Sequence, residues 1–327
     1  MQRDSCVIFS ISNGASMHNI QKTKLSYLLL LASINTATAE DDLFALDFEQ
    51  LMEIEVTSIN KKPQTILQSA AAVYAISAAD IERSGATSLP EVLRGAPGVQ
   101  VAQVDGNKWS VSIRGFSGVY ANKLLVLVDG RSVYHPSFAG VHWNTLDIPL
   151  ATIKQVEIIR GSGGTLWGEN AVNGIINIIT KHTGDNKGTE LSFVGGSKEL
   201  IANVLHTGKI NDELTYRVYA KARKQSTYKT SQDLTSIPAH DAWESAQAGF
   251  RIDNKDNWLL EGSYTQDSSD IAYLRFDTGN PFLPTAAPSQ ANEQYKTAHI
   301  LFQNKSYSSP KNNSYEYFKG NPLIYPF

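Results

Sequence analysis

Along "ELTYRVYAKAR" apolar and polar side chains take turns. Leu214, Tyr216, Val218, Ala220 and Ala222 fall on one face of an extended chain, and Glu213, Thr215, Arg217, Lys221 and Arg223 fall mostly on the other. "ESAQAGFRID", "NWLLEGSYTQ" and "TAHILFQNK" alternate likewise. This is the apolar-out, polar-in pattern of a β-barrel wall in a membrane. The connections alternate too: short at "INDE" and "NKD", about 20 residues from Lys224 to Trp243 and about 30 from Asp267 to Lys296. If the first strand is entered from the periplasmic side, both long connections fall outside and both short ones inside. A soluble all-β sandwich is the alternative, and it does not predict that parity.

Composition leaves the barrel open and closes other classes. No apolar run reaches the length of a membrane-spanning helix, whereas alternating strands average out to the near-neutral, slightly negative mean hydropathy seen here. A formal charge of -3 gives no basic field for nucleic acid. The seven histidines include no close pair at metal-ligand spacing, and the single cysteine, Cys6, permits neither a disulfide framework nor a cysteine zinc site. No nucleophile, acid–base pair or metal cluster emerges, so neither an enzyme nor a resident cofactor is expected.

The N-terminus reads as an address. Lys22 and Lys24 precede the apolar "LSYLLLLASI" (25–34), and Ala37-Thr38-Ala39 supplies a small-x-small cleavage pattern. Residues 1–39 are therefore expected to be a secretory signal peptide, with Met17 as its start, 1–16 as an extension, and Cys6 lost on processing. Residues 40–66 turn from acidic to basic without building a core. Within them Glu53, Ile54, Glu55, Val56, Thr57 and Ser58 alternate as a strand with no obvious local partner. Such a segment can add itself to the edge of another protein's sheet, although an ordinary linker reads the same way.

Residues 67–181 read as one α+β module. "AVYAI" predicts a strand, and Ser77 caps a helix through Arg83 that Gly85 closes. Ser88 with Glu91 predicts a capping box for a second helix running to Arg94. Strands are expected at 99–103, 109–113 and 123–128, the last turning at Asp129-Gly130 into "RSVY". Two Arg-Gly steps, Arg114-Gly115 and Arg160-Gly161, each end a strand. The glycine-rich "RGSGGTLWGENAVNG" is no phosphate cradle. Gly161 and Gly163 lead to Leu166 where a dinucleotide fingerprint needs glycine, and Gly163 and Gly168 lead to Glu169-Asn170 where a P-loop needs lysine and a hydroxyl. The β-branched "GIINIIT" that follows is a strand, so these glycines shape a strand-to-strand path.

"ADIERSGATSLPEVLRGAPGVQV", "SIRGF", "LLVLVDGRSVY", "VEIIRG" and "TLWGENAVNGIINIITK", in this order and spacing, resemble the plug domain of TonB-dependent outer-membrane receptors. The resemblance implies an α+β plug over 67–181, folded inside an antiparallel transmembrane β-barrel that begins at 182. It makes residues 53–58 the TonB box, pulled on by a TonB-type periplasmic energy-coupling protein. It makes Arg114 and Arg160 members of a buried latch to carboxylates on the barrel, and puts Tyr120, His135 and His142 in ligand-contacting apical stretches. Ser162 departs from the family, which has proline there; His135 and His142 stand where Thr and Tyr are expected.

The implied function is energy-coupled uptake of a scarce extracellular ligand, an iron-siderophore ahead of haem, cobalamin or a glycan. An outer-membrane adhesin or signalling receptor that uses the plug without import is the alternative. Lipid of the outer membrane is the second partner, and nucleic acid is none. Complete relatives are expected to have about 22 strands, against about six over 182–306 here. From 307 to 327 the alternation gives way to a tail holding Pro310, Pro322 and Pro326. The expectation is a truncated receptor unable to transport alone.

Overall fold

The computed structural model describes residues 7–13, 55–56, 64–65, 72–135, 139–161, 163, 167–168, 170–185, 187–227, 240–255, 257–277, 285–304, 315–319 and 323–326. The expected signal segment (17–39) lies outside them, as do Glu53, Ile54, Thr57 and Ser58.

The α+β module is built on a five-stranded sheet with β4 (Ala72–Ser77) at one edge, then β9 (Ile153–Arg160), β10 (Gly174–Thr180), β7 (Leu124–Val128) and β8 (Arg131–Ser132). The pairing of β10 with β7 is parallel. Both strands are dominated by isoleucine, valine and leucine, with the buried Asn177 as the one polar residue at the centre of β10, as suits strands covered on both faces. One face packs against α1 (Ala78–Ser84), α2 (Leu89–Leu93) and a hairpin of β5 (Val99–Gln103) and β6 (Trp109–Ile113), around Ile81, Leu93, Ile113, Val126, Ile158 and Ile176. Ile159, Leu125, Leu127 and Ile175 form a smaller cluster on the other face.

Helix α1 has the expected caps. Asp80 N–H donates to the Ser77 hydroxyl, Ser77 N–H donates to the Asp80 carboxylate, and Gly85 closes the helix at φ 63°. Helix α2 does not. The Ser88 hydroxyl caps nothing, and Glu91 instead accepts from the N–H of Thr87 at 2.8 Å and from its hydroxyl at 3.1 Å, one residue earlier than the capping-box pattern places it. The Asp129-Gly130 turn forms as expected, both residues having positive φ (47° and 80°) as a type I′ hairpin requires.

The glycine-rich stretch connects β9 to its antiparallel neighbour β10. Gly174 is needed there for closeness of packing. A Cβ on it would lie 2.6 Å from the Ile159 carbonyl oxygen and 2.8 Å from Ile113 Cδ1.

The second half is one antiparallel wall of β11 (Gly188–Gly195), β12 (Glu199–Lys209), β13 (Leu214–Gln225), β14 (Trp243–Asn254), β15 (Trp258–Asp277) and β16 (Thr285–Asn304). The six strands follow one another in sequence order, and no ladder closes the sheet among the described residues. Burial follows the alternation. In β13 Arg217, Lys221 and Arg223 are buried against the module while Val218, Ala220 and Ala222 are exposed. Phe193, Leu200, Val204, Phe250 and Ile300 continue the exposed apolar face.

One expectation needs correction, and strands also pair with the wall at both of its edges. The stretch from Asp267 to Lys296 is no long loop: β15 and β16 pair without interruption from Trp258↔Asn304 to Asp277↔Thr285, so the connection shrinks to 278–284. Its polar residues had suggested a loop because the outward face turns hydrophilic above Tyr264, at Gln266, Ser268 and Asp270, while the backbone ladder continues. The tail also joins the wall, as β17 (Tyr315–Lys319) and β18 (Leu323–Pro326), each pairing antiparallel with β16. Finally β1 (Val7–Asn13), within the stretch read as an extension, pairs along its whole length with β11. An apolar, β-branched run satisfies backbone groups that the edge of β11 would otherwise leave open.

Candidate functional site

The module sits on the polar face of the wall, and the contacts between them are buried charges. Asp147 receives Lys221 Nζ at 2.8 Å and Arg223 Nε at 3.0 Å, and all three side chains are almost fully buried. Arg223 also pairs with Glu199, donates to the Thr87 carbonyl at 2.5 Å and lies over the Trp243 ring at 5.1 Å. The Thr87 hydroxyl reaches Glu199 at 3.0 Å, so the start of α2 is tied to β12 and β13 together. Burial works to raise the Asp147 pKa, but the charges of Arg223 and Lys221 outweigh it and hold the carboxyl below its ordinary range.

A second cluster lies where β10 hands over to the wall. Asp129 accepts from Thr180 N–H at 2.9 Å, from its hydroxyl at 2.7 Å and from Arg251 Nη1 at 3.2 Å. Arg251 forks onto Asp253 at 2.8 and 3.0 Å, and Asp253 accepts from Thr183 N–H at 3.0 Å. Arg217 donates to the Lys181 carbonyl at 2.9 Å, and His182 bonds to the carbonyl of Lys255 in the turn between β14 and β15. The handover is therefore at the short-turn end of the wall, as the parity of the connections requires. Two further ties, Asn144 Nδ2 to Asp267 at 3.1 Å and Gly106 N–H to Asp241 at 2.8 Å, hold the opposite end.

These ties do not involve Arg114 or Arg160, the residues expected to form the latch. In the ion pairs the module contributes the carboxylates, Asp147 and Asp129, and the wall the cations, whereas at the opposite end the wall carboxylates Asp267 and Asp241 accept from the module. Arg114 is exposed at φ 56°, and Arg160 is half-buried with a buried Nε that has no hydrogen-bond partner among the described residues. Arg114 reaches toward the second Arg-Gly step, its Nη1 lying 3.8 Å from where a Cβ on Gly161 would stand. Asp129 had been read as a turn residue only and Asp147 was not singled out. The available signal was the row of cations on the inward face of β13, which had to be neutralised by something inside.

Of the apical candidates, His135 and His142 lie together, ring centroids 5.1 Å apart and edge-on, and His142 also packs on Tyr295 of β16 at 4.8 Å. Tyr295 donates to Glu293 at 3.2 Å. Tyr120 stands 68 % exposed in the turn after β6. Glu55 and Val56, the described part of the expected TonB box, form β2 (Glu55–Val56), which pairs with β3 (Gln64–Thr65). The segment thus has a local partner that the sequence had not suggested.

Residues 65–175 match the family described as the TonB-dependent Receptor Plug Domain. This module is a TonB-dependent receptor plug. It is followed by antiparallel wall strands, and the match to the plug family covers about a third of the chain. The chain is similar to the vitamin B12 transporter BtuB of Vibrio vulnificus (strain CMCP6), 35% identical over 172 residues, which are 52% of this chain and 27% of that one. The corresponding transporter of Vibrio cholerae serotype O1 (strain ATCC 39541) is 35% identical over 148 residues, 45% of this chain and 24% of its own. The chain thus spans about a quarter of the length of these relatives. Among solved structures, the ferric yersiniabactin uptake receptor FyuA from Yersinia pestis is 17% identical with a TM-score of 0.47, covering 71% of this chain and 38% of its own. The ferripyoverdine receptor of the outer membrane of Pseudomonas aeruginosa is 13% identical with a TM-score of 0.46, covering 76% and 42%.

Proposed function

We propose that this chain is the plug and leading wall of a receptor that imports a scarce small ligand across the outer membrane, the plug being released by a TonB-type partner pulling on residues 53–58. The seating of the plug on the wall through buried ion pairs carries this reading. Such pairs hold firmly, yet each can be parted and remade, as a plug that moves in every transport cycle requires. An iron-siderophore is the ligand class that the resemblance to the family favours. The similarity to proteins named vitamin B12 transporters favours cobalamin as a second reading.

Cells expressing a full-length receptor that carries this plug, with and without Val56→Pro, test both points. Proline removes a backbone donor from the strand that the partner is to engage. With cobalt-labelled cobalamin and iron-labelled siderophores as probes, one ligand is expected to bind to both forms and to accumulate only in the unmodified one. Normal accumulation in the Val56→Pro cells would show that the TonB box lies elsewhere. Binding by both forms with accumulation in neither would favour the adhesin or signalling alternative.

A further inference from the structure

Near the short-turn end, a cavity of about 40 Å3 lies between plug and wall, lined among others by Arg131, Arg217, Arg251, Glu261, Tyr219 and Ser263. Three guanidinium groups thus face it against one carboxylate. The two carboxylates that balance them overall, Asp129 and Asp253, are not part of its lining and are already taken. Asp129 is held by Thr180 and Arg251, and Asp253 by the Arg251 fork and the Thr183 N–H. Glu261 comes no nearer than 3.7 Å to Arg251, longer than a hydrogen bond.

Two of the cations are left with unmet donors. Arg131, on the plug, is only 9% exposed, and its Nε has no hydrogen-bond partner among the described residues. Arg217, on β13, is 5% exposed; it gives Nη1 to the Lys181 carbonyl, but its Nε is likewise unpartnered. Buried donors of charged groups are rarely left so, because the desolvation is uncompensated unless an ion or water supplies the acceptor. A water needs roughly 10–15 Å3 by this measure, so the space admits a monatomic anion or about three waters. Water would supply acceptors but no charge, and the lining is short of negative charge.

We propose that this cavity is a halide site, where one chloride is held between Arg131 of the plug and Arg217 of the wall and joins the two. The inference is independent of which ligand the receptor takes. It is tested on the full chain folded in detergent, by following the unfolding midpoint in chloride, bromide and gluconate at equal ionic strength and pH. The midpoint is expected to rise saturably by a few degrees in chloride or bromide and not in gluconate, as for any ligand bound to the folded state alone. Arg131→Met keeps an apolar stem without the charge and is expected to abolish the response, whereas Lys224→Gln, on the outer face, should leave it intact. Crystals grown in bromide should show an anomalous peak beside both guanidinium groups, a measurement that stands even if Arg131→Met does not fold. Equal midpoints in chloride and gluconate, a response undiminished in Arg131→Met, or a cavity containing water alone would each overturn the proposal.

Discussion

Asp147 is the single carboxylate against which Lys221 and Arg223 are neutralised by the plug. Asp147→Asn keeps the shape but leaves two buried cations facing an amide. Breaking one partner out of a buried ion cluster costs about 3–5 kcal/mol, and urea unfolding of the two proteins should show a loss of that order. The pH dependence has a definite sign. Because the folded pKa is depressed, the contribution is present in full above the ordinary value near 3.8 and is lost as pH falls through the folded pKa. The stabilities of wild type and Asp147→Asn should therefore converge in acid and stay apart at neutral pH; a constant difference down to the acid limb would mean that Asp147 does not carry the effect. Residues of this kind were poorly legible in the sequence. The alternation of β13 told which side Lys221 and Arg223 face, but their partners lie 74 and 76 residues away. No local rule points to them.

At the scale of single elements the sequence was a good guide to type and a poorer one to termination. Every plug strand read from period and β-branching is present, because a five-residue apolar run between turn residues has little else to become. The second helix shows the limit. Ser88 and Glu91 have the spacing of a capping box, yet the Ser88 side chain is buried at 5% exposure, and Glu91 turns back to Thr87, which the wall also holds through Glu199 and Arg223. Tertiary contacts outbid a local motif. The two caps should accordingly respond differently: Ser77→Ala should cost about 0.5–2 kcal/mol, whereas Ser88→Ala, losing no cap bond, should fall well below that in the same unfolding assay. Equal losses would mean that Ser88 caps α2 in solution after all.

For the whole molecule, the face on which a residue stands matters more than its position along the chain. Ala220 faces outward and its neighbour Lys221 inward. A cation belongs on one side and is foreign on the other: Ala220→Arg should destabilise insertion by roughly 2–4 kcal/mol if it lies near mid-bilayer, read as a smaller membrane-inserted fraction, while Ala220→Leu should leave that fraction unchanged. The paired strands β15 and β16 matter in another way. At 20 residues each and about 3.3 Å per residue, they reach roughly 66 Å, whereas a spanning strand needs only about 9–11 residues. About half of this ribbon therefore stands clear of the lipid like a mast. An epitope inserted at 278–284 should be recognised on unbroken cells, and one inserted at 210–213 only after the cells are opened. On a crowded bacterial surface, such a mast would be the part of the receptor that antibodies, phage tails and neighbouring cells touch first.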